Sequence, residues 1–418
     1  MSIKSLYPDI RPSLNLNFAN SRALDGRITF TRNSTATYVG ANGLIQTAQR
    51  NAPRFDHDPE TGESLGLLIE EQRTNQFPYS SNISGSGGWG ALNLTLTANQ
   101  TIAPDGTNTA SKVGKDSAAT EVVYFNDDTS VTSGNVYTQS IFVKASEINY
   151  FQITPSTGFP TGHQNFDLVN GVLGTSDGTI DDASITPYPN GWYRCSLTVT
   201  SNSSATGRMV MGPAESASAG RLDSVSGSIG DGIYVWGAQL EVGAFPTSYI
   251  PTSASSATRV VDSAYIKDDT GLGSGVLEYT IYVRGKLNST ENYGGISPAL
   301  VSLASASTER IRLPHNNVGA VEVYSGGTVQ ASFTIGDIGT TERKISLAVK
   351  KDDFALSLDG AEASAVTSGN IPTYIDYIFF GISTYDVPPP TYPSACHIKE
   401  FRTYNKRLTN AQLKALTS

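Results

Sequence analysis

The chain has 418 residues, a net charge of −9, 16% charged residues and 40 glycines, a composition of short strands joined by many turns, at a length that allows two or three domains. No Lys or Arg run exceeds two residues, so the footprint of a nucleic-acid binder is missing, and no stretch reaches the roughly 20 apolar residues that cross a bilayer. The two cysteines, Cys195 and Cys396, exclude a disulfide framework and read as small buried apolar residues.

The start, MSIKSLYPDIRPS, lacks the apolar segment of a signal peptide, so synthesis in a cytosol without an export address is expected. Residues 1–76 read as an extended adaptor, with Arg22, Arg27, Arg32, Arg50, Arg54 and Arg73 set between short apolar groups. Within it, residues 28–48 predict two strands around an Ala41-Asn42-Gly43 turn, where Gly43 can supply a positive φ. The apolar run from Leu65 to Ile69 predicts a strand laid against the domain that follows.

Residues 77–250 carry short strands about ten residues apart with turn clusters between them, the pattern of a sandwich or jelly roll. In CSLTVTS, Cys195, Leu197 and Val199 alternate with Ser196, Thr198 and Thr200, which predicts one buried and one wet face. Further strands are expected at 139–145 and at 232–243, the latter bent at Gly237. Residues 251–258, PTSASSAT, read as a linker. Residues 259–418 form a second sandwich, with a strand at 275–285 and a hairpin at 344–360. In that hairpin Ile345, Leu347 and Val349 face Phe354, Leu356 and Leu358 across a Lys351-Asp352-Asp353 turn. The chain closes on a short helix that Thr409 caps, with Leu413 and Leu416 inward. The fold class is therefore all-β: an N-terminal extended adaptor, two antiparallel β-sandwich (jelly-roll) domains and a short C-terminal helix.

Chemistry is sparse. Glu70-Glu71, Asp127-Asp128, Asp181-Asp182 and Asp352-Asp353 are adjacent carboxylates that read as turn residues, since neighbours on a strand point to opposite faces. The histidines His57, His163, His315 and His397 lack metal-ligand spacing. Asp56, Asp58 and Glu60 superficially match a calcium loop but lack its glycine and its closing glutamate, so a solvated turn is expected. No catalytic residue, metal site or cofactor is expected, and a loop-bound calcium cannot be placed. A pyranose needs an exposed aromatic face beside amides or carboxylates. The candidates are Trp89 in the Gly-rich SGSGGWGALN, then Tyr150, and Tyr385 and Tyr392 in the Pro-rich STYDVPPPTYP, whereas Trp192 and Trp236 read as core.

Three stretches carry resemblances. The run KISLAVKKDDFALSLDG, YIFFGIS and EFRTYNKRLTNAQLKALT resembles the end of a concanavalin A-like or laminin G-like sandwich. YTQSIFVKA, NGWYRCSLTVT and IYVWGAQLEVGAFPTSYIPT resemble carbohydrate-binding-module jelly rolls. Residues 14–75 are similar to a segment common in structural proteins of tailed bacteriophages, where it precedes such domains in head-fibre, decoration or tail-fibre proteins. The resemblance implies a non-enzymatic protein on the virion surface. Residues 1–76 would dock on capsid or tail proteins, the sandwiches would bind host cell-surface polysaccharide, and the assembly would be a homotrimer. The alternatives are a structural capsid cement or decoration protein without ligand, and a glycan-degrading tailspike, against which stands the lack of short-period β-helix repeats.

Overall fold

A computed structural model describes residues 11–267, 276–289, 298–315, 319–336, 339–381 and 394–418. The protein is all-β, with antiparallel sheets packed as two sandwiches and, among the described residues, one short α-helix at the C-terminus.

The first sandwich is built from the middle of the chain. One layer is a six-stranded sheet ordered Asp182–Tyr188, Trp192–Thr200, Val136–Ala145, Gly232–Val242, Ala110–Lys115 and Leu94–Thr101. The other is seven-stranded: Val172–Gly178, Gly162–Asp167, Tyr150–Pro155, Ala205–Ala214, Tyr124–Asn126 and Gly90–Leu92 in order, with Asp128–Val131 also paired to Ala205–Ala214. Alternate residues of each layer, such as Ile141, Val143, Phe151, Ile153, Leu197 and Met211, fill the space between them. The bend expected at Gly237 is present: its φ is +64°, and the pairing with Val136–Ala145 shifts register there. The wet face expected at Ser196 and Thr198 is buried instead, because their hydroxyls pair across the sheet with Ser184 at 2.7 Å and Thr138 at 2.8 Å. Cys195 and Cys396 are both buried thiols.

The second sandwich draws on both ends of the chain. Leu14–Asn17 pairs with Cys396–Tyr404, Leu14 standing opposite Thr403, and Ile28–Thr31 pairs with Ser263–Lys267. Ser64–Ile69 lies between Cys396–Tyr404 and Arg54–His57. Residues 14–69 are therefore not a separate adaptor. Leu14, Leu16, Phe18, Phe55, Leu67 and Ile69 sit in one core with Ile281, Leu347 and Phe401, because their alternation gives each strand an apolar face that only the C-terminal strands can cover. The Leu65 to Ile69 run belongs to this sheet and not to the domain that follows it in sequence. The first sandwich is thus an insertion, returned through Ala257–Arg259, which pairs with Arg73–Asn75 and turns the end of the expected linker into a strand.

The expected hairpin within 28–48 is narrower than the sequence suggested, Ala36–Val39 with Ile45–Ala48, and Gly43 has φ +74° in its loop. The 344–360 hairpin pairs Leu347 with Leu356, and Asp352 takes φ +58° in its turn. At the C-terminus the helix Asn410–Thr417 opens on a reciprocal cap between Thr409 and Gln412 and buries Leu413 and Leu416.

Where the two sandwiches meet, charge is buried. Arg54 bonds Glu70 at 2.5 Å, Asp262, Ser248 Oγ at 2.8 Å and the Thr37 carbonyl at 3.0 Å. Arg32 holds the other Asp262 oxygen at 3.0 Å, Arg259 holds Glu70 at 3.1 Å, and Arg73 holds Glu71 at 2.8 Å. Three arginines of the expected adaptor, Arg32, Arg54 and Arg73, therefore face inward as the ionic joint of the molecule.

Candidate functional site

In the short strand Tyr124–Asn126, Phe125 points into the first core, so Tyr124 and Asn126 point outward. Their partners across the sheet are Leu92, 39% exposed, and Gly90. Asp128 follows, opposite Arg208 of the neighbouring strand. Asp128 accepts Arg208 Nε at 2.7 Å and Nη2 at 2.5 Å, and takes the Asn126 amide at 2.8 Å. The guanidinium of Arg208 holds the Asp128 carboxyl below the usual range. Asp127 is opposite in character: half-buried, with Oδ2 unpaired, its carboxyl is pushed up by burial.

These groups line a cavity of about 390 Å³, within the range of small-ligand sites. A half-buried phenol ring and a leucine edge supply apolar surface, and an amide, two carboxyls and a guanidinium surround it. That is the donor and acceptor set a pyranose ring requires. Part of the outer face beside it is covered. Residues 215–223 lie across Gln152 and Asn165, whose amides donate to the carbonyls of Gly220 at 2.9 Å and Ala219 at 2.7 Å. Gly174 permits the approach, since a Cβ there would lie 2.3 Å from the Ala217 carbonyl oxygen. Leu222 in this strap has φ +54°, an unfavourable conformation for a branched side chain, while its N–H donates to Gln152 Oε1 at 2.9 Å. Leu222→Asn is therefore expected to raise stability by about 1 kcal/mol, read as a higher denaturant midpoint at unchanged slope.

Of the sequence candidates, Trp89 is not a surface ring. It is 3% exposed, with its ring centroid 5.3 Å from Phe77 and 6.1 Å from Phe125. The glycines permit this. Gly85–Gly87 form a tight turn and Gly88 follows at φ +86°, folding the indole back into the core. Tyr150 is half-buried on the same outward face as Tyr124, with the strand Ala205–Ala214 between them, and does not line the cavity. Tyr385 and Tyr392 lie outside the described residues. Trp192 and Trp236 are core residues.

Sequence reasoning missed Tyr124, Asn126 and Arg208, and set Asp127-Asp128 aside as a turn. One signal was available: Arg208 is a lone charge in ATGRMVMGPA, a strand otherwise of small and apolar residues. Asp58 does close a turn, accepting the Glu60 and Thr61 backbone N–H groups at 3.0 and 2.8 Å. Asp56, by contrast, is buried against His397. Among the described residues no cluster of three His, Cys, Asp or Glu side chains could hold a metal ion, and no helix is long and apolar enough to cross a membrane.

No protein-family model and no curated protein matches the chain. Solved structures do, distantly. Domain 4 of AbnA, an extracellular GH43 arabinanase from Geobacillus stearothermophilus solved with arabinotriose, is 18% identical, over 42% of this chain and 84% of that one, at a TM-score of 0.31. A crystal structure of a receptor binding domain is 11% identical, over 38% and 39% of the two chains, at 0.28. Trypanosoma rangeli sialidase with sialic acid is 10% identical, over 78% and 62%, at 0.27. This chain thus spans about two fifths of that receptor binding domain and under two thirds of the sialidase. At such TM-scores the likenesses carry no argument about what this chain binds. Its own sheets define it as a two-sandwich protein with an open polar and aromatic cavity at Tyr124.

Proposed function

We propose that this is a non-catalytic glycan-binding protein displayed on the surface of a tailed-phage particle, as a capsid fibre, decoration or tail-fibre component, and that Tyr124 is the platform of its saccharide site. The observation that carries the glycan reading is the outward cluster of Tyr124, Leu92, Asn126, Asp128 and Arg208 around one cavity. The virion setting is supported by the likeness of residues 14–75 to a segment of phage structural proteins. Several copies on one particle, a homotrimer among them, would convert weak single-site affinity into avidity.

The contrast between Asp127 and Asp128 is the one observation that favours a hydrolytic reading, since glycosidases set two carboxyls to different pKa values. Against it, Asp128, the carboxyl held ionised, has both oxygens engaged by Arg208 and Asn126, and Asp127, whose Oδ2 is unpaired, is the one that burial keeps towards its neutral form. Labelled protein incubated with host cells tests both readings. Binding that added cell-surface polysaccharide abolishes, with no new reducing ends, is the expected result. Release of reducing ends that Asp127→Asn stops would replace adhesion by hydrolysis, and no binding by an oligomer would leave a purely structural decoration protein.

A further inference from the structure

A second cavity, of about 160 Å³, lies at the joint between the sandwiches, away from the Tyr124 face. It is bounded by the outer side of the six-stranded sheet, the hairpin Ala36–Val39 with Ile45–Ala48, and residues 246–249. A cavity near 150 Å³ can hold a benzene-sized molecule, so this one admits a single small group.

Its acceptors are already engaged. Asp56 takes the Val39 N–H at 2.7 Å and His397 Nε2 at 2.8 Å, while His397 Nδ1 meets Asn288 Oδ1 at 2.8 Å. Glu70 is saturated by Arg54, Arg259 and Ser248. Its donors are not. Arg194 crosses the Phe142 ring at 5.5 Å and spends one nitrogen on Ser140 Oγ at 2.9 Å. Its Nε is buried without a partner, Nη1 makes no hydrogen bond, and no carboxylate lies within ion-pair distance among the described residues. Tyr188 stands diagonal to Arg194 on the same sheet face and lines the same cavity. Burial pushes that phenol up to about 12, so it remains a donor at neutral pH. A half-buried guanidinium short of an acceptor, with a phenol beside it, forms a wall that an anionic oxygen pair would complete.

We propose that this cavity is a second ligand site, which takes a carboxylate-bearing group, such as the acidic end of a uronic sugar, against Arg194 and Tyr188. The site stands independently of the Tyr124 reading. Because it joins the two sandwiches, its occupant would also raise the temperature at which the protein unfolds.

Calorimetric titration of the full chain with D-glucuronate, acetate, D-glucose and inorganic phosphate tests it. Saturable binding of glucuronate but not of glucose is expected, with affinity lowered about tenfold or more in Arg194→Gln. Tyr188→Phe keeps the ring and guards against a folding artefact; it should weaken binding by a smaller factor at an unchanged unfolding midpoint. Tyr124→Ala should leave glucuronate binding intact, which separates this site from the outer face. Acetate binding as tightly as glucuronate would uphold the carboxylate site and assign it to small organic acids. No saturable carboxylate binding at millimolar ligand, equal binding by Arg194→Gln, or phosphate binding more tightly than every carboxylate would overturn the proposal.

Discussion

Arg54→Ala is expected to cost about 3–5 kcal/mol of stability, enough to leave much of the protein unfolded at ambient temperature. Arg54 is fully buried and bridges Glu70, Asp262 and Ser248, so its removal leaves Asp262 with Arg32 and Glu70 with Arg259 as their remaining ion partners and takes two buried hydrogen-bonded pairs out of the joint between the sandwiches. The loss comes from buried acceptors left short of a donor, the Thr37 carbonyl and one carboxylate oxygen each of Glu70 and Asp262, more than from any intrinsic worth of the pairs. Burial alone would raise the Glu70 carboxyl, but Arg259 and Arg54 outweigh it and hold the group below the ordinary range. A depressed folded-state value means that this stabilisation is complete above the unfolded value of 4.5 and is lost as pH falls below it. Glu71 contributes with the opposite sign. Burial raises it against the pull of Arg73, so its share is present at low pH and lost as pH rises through its folded value. Glu70→Gln should therefore flatten the acid limb of a stability-against-pH curve measured by denaturant unfolding, and an unchanged limb would show that Glu70 is not its source.

Trp89→Ala should cost about 3–5 kcal/mol while leaving saccharide binding per folded molecule unchanged. The indole packs edge-on to Phe77 and beside Phe125, and its Nε1 makes no hydrogen bond, so its contribution is packing. Trp89→Phe should retain most of that packing. Denaturant unfolding and a binding isotherm corrected for folded fraction separate the two effects. A variant with full stability and no binding would return Trp89 to the role its glycine-rich setting first suggested.

The error at Trp89 is instructive, because local composition reported the turn correctly and the burial wrongly. A glycine-rich turn can expose a ring or fold it under, and the choice depends on Phe77 and Phe125, which the turn does not contain. Signals that live within a few residues were legible: the 344–360 hairpin, the Thr409 cap, the Gly237 bend and the core positions of Trp192 and Trp236. The insertion of one sandwich into the other was not. Leu14 meets Thr403 across almost the whole chain, and nothing in either segment names its partner. For the same reason the buried joint of Arg32 and Arg54 was not legible, since their partner Asp262 comes from a segment that only the fold brings near. Tyr124 was hidden differently: once Phe125 is known to be core, simple alternation turns Tyr124 and Asn126 outward, but VVYFND alone does not say which phase is buried.

The central claim is that the Tyr124 face binds saccharide. The direct measurement is calorimetric titration of purified host-surface polysaccharide into the wild-type chain and into Tyr124→Ala, with unfolding midpoints recorded for both. Saturable binding to the wild type, weakened about tenfold or more in a variant that unfolds at the same midpoint, is the predicted result. Equal affinity in the two proteins would contradict it.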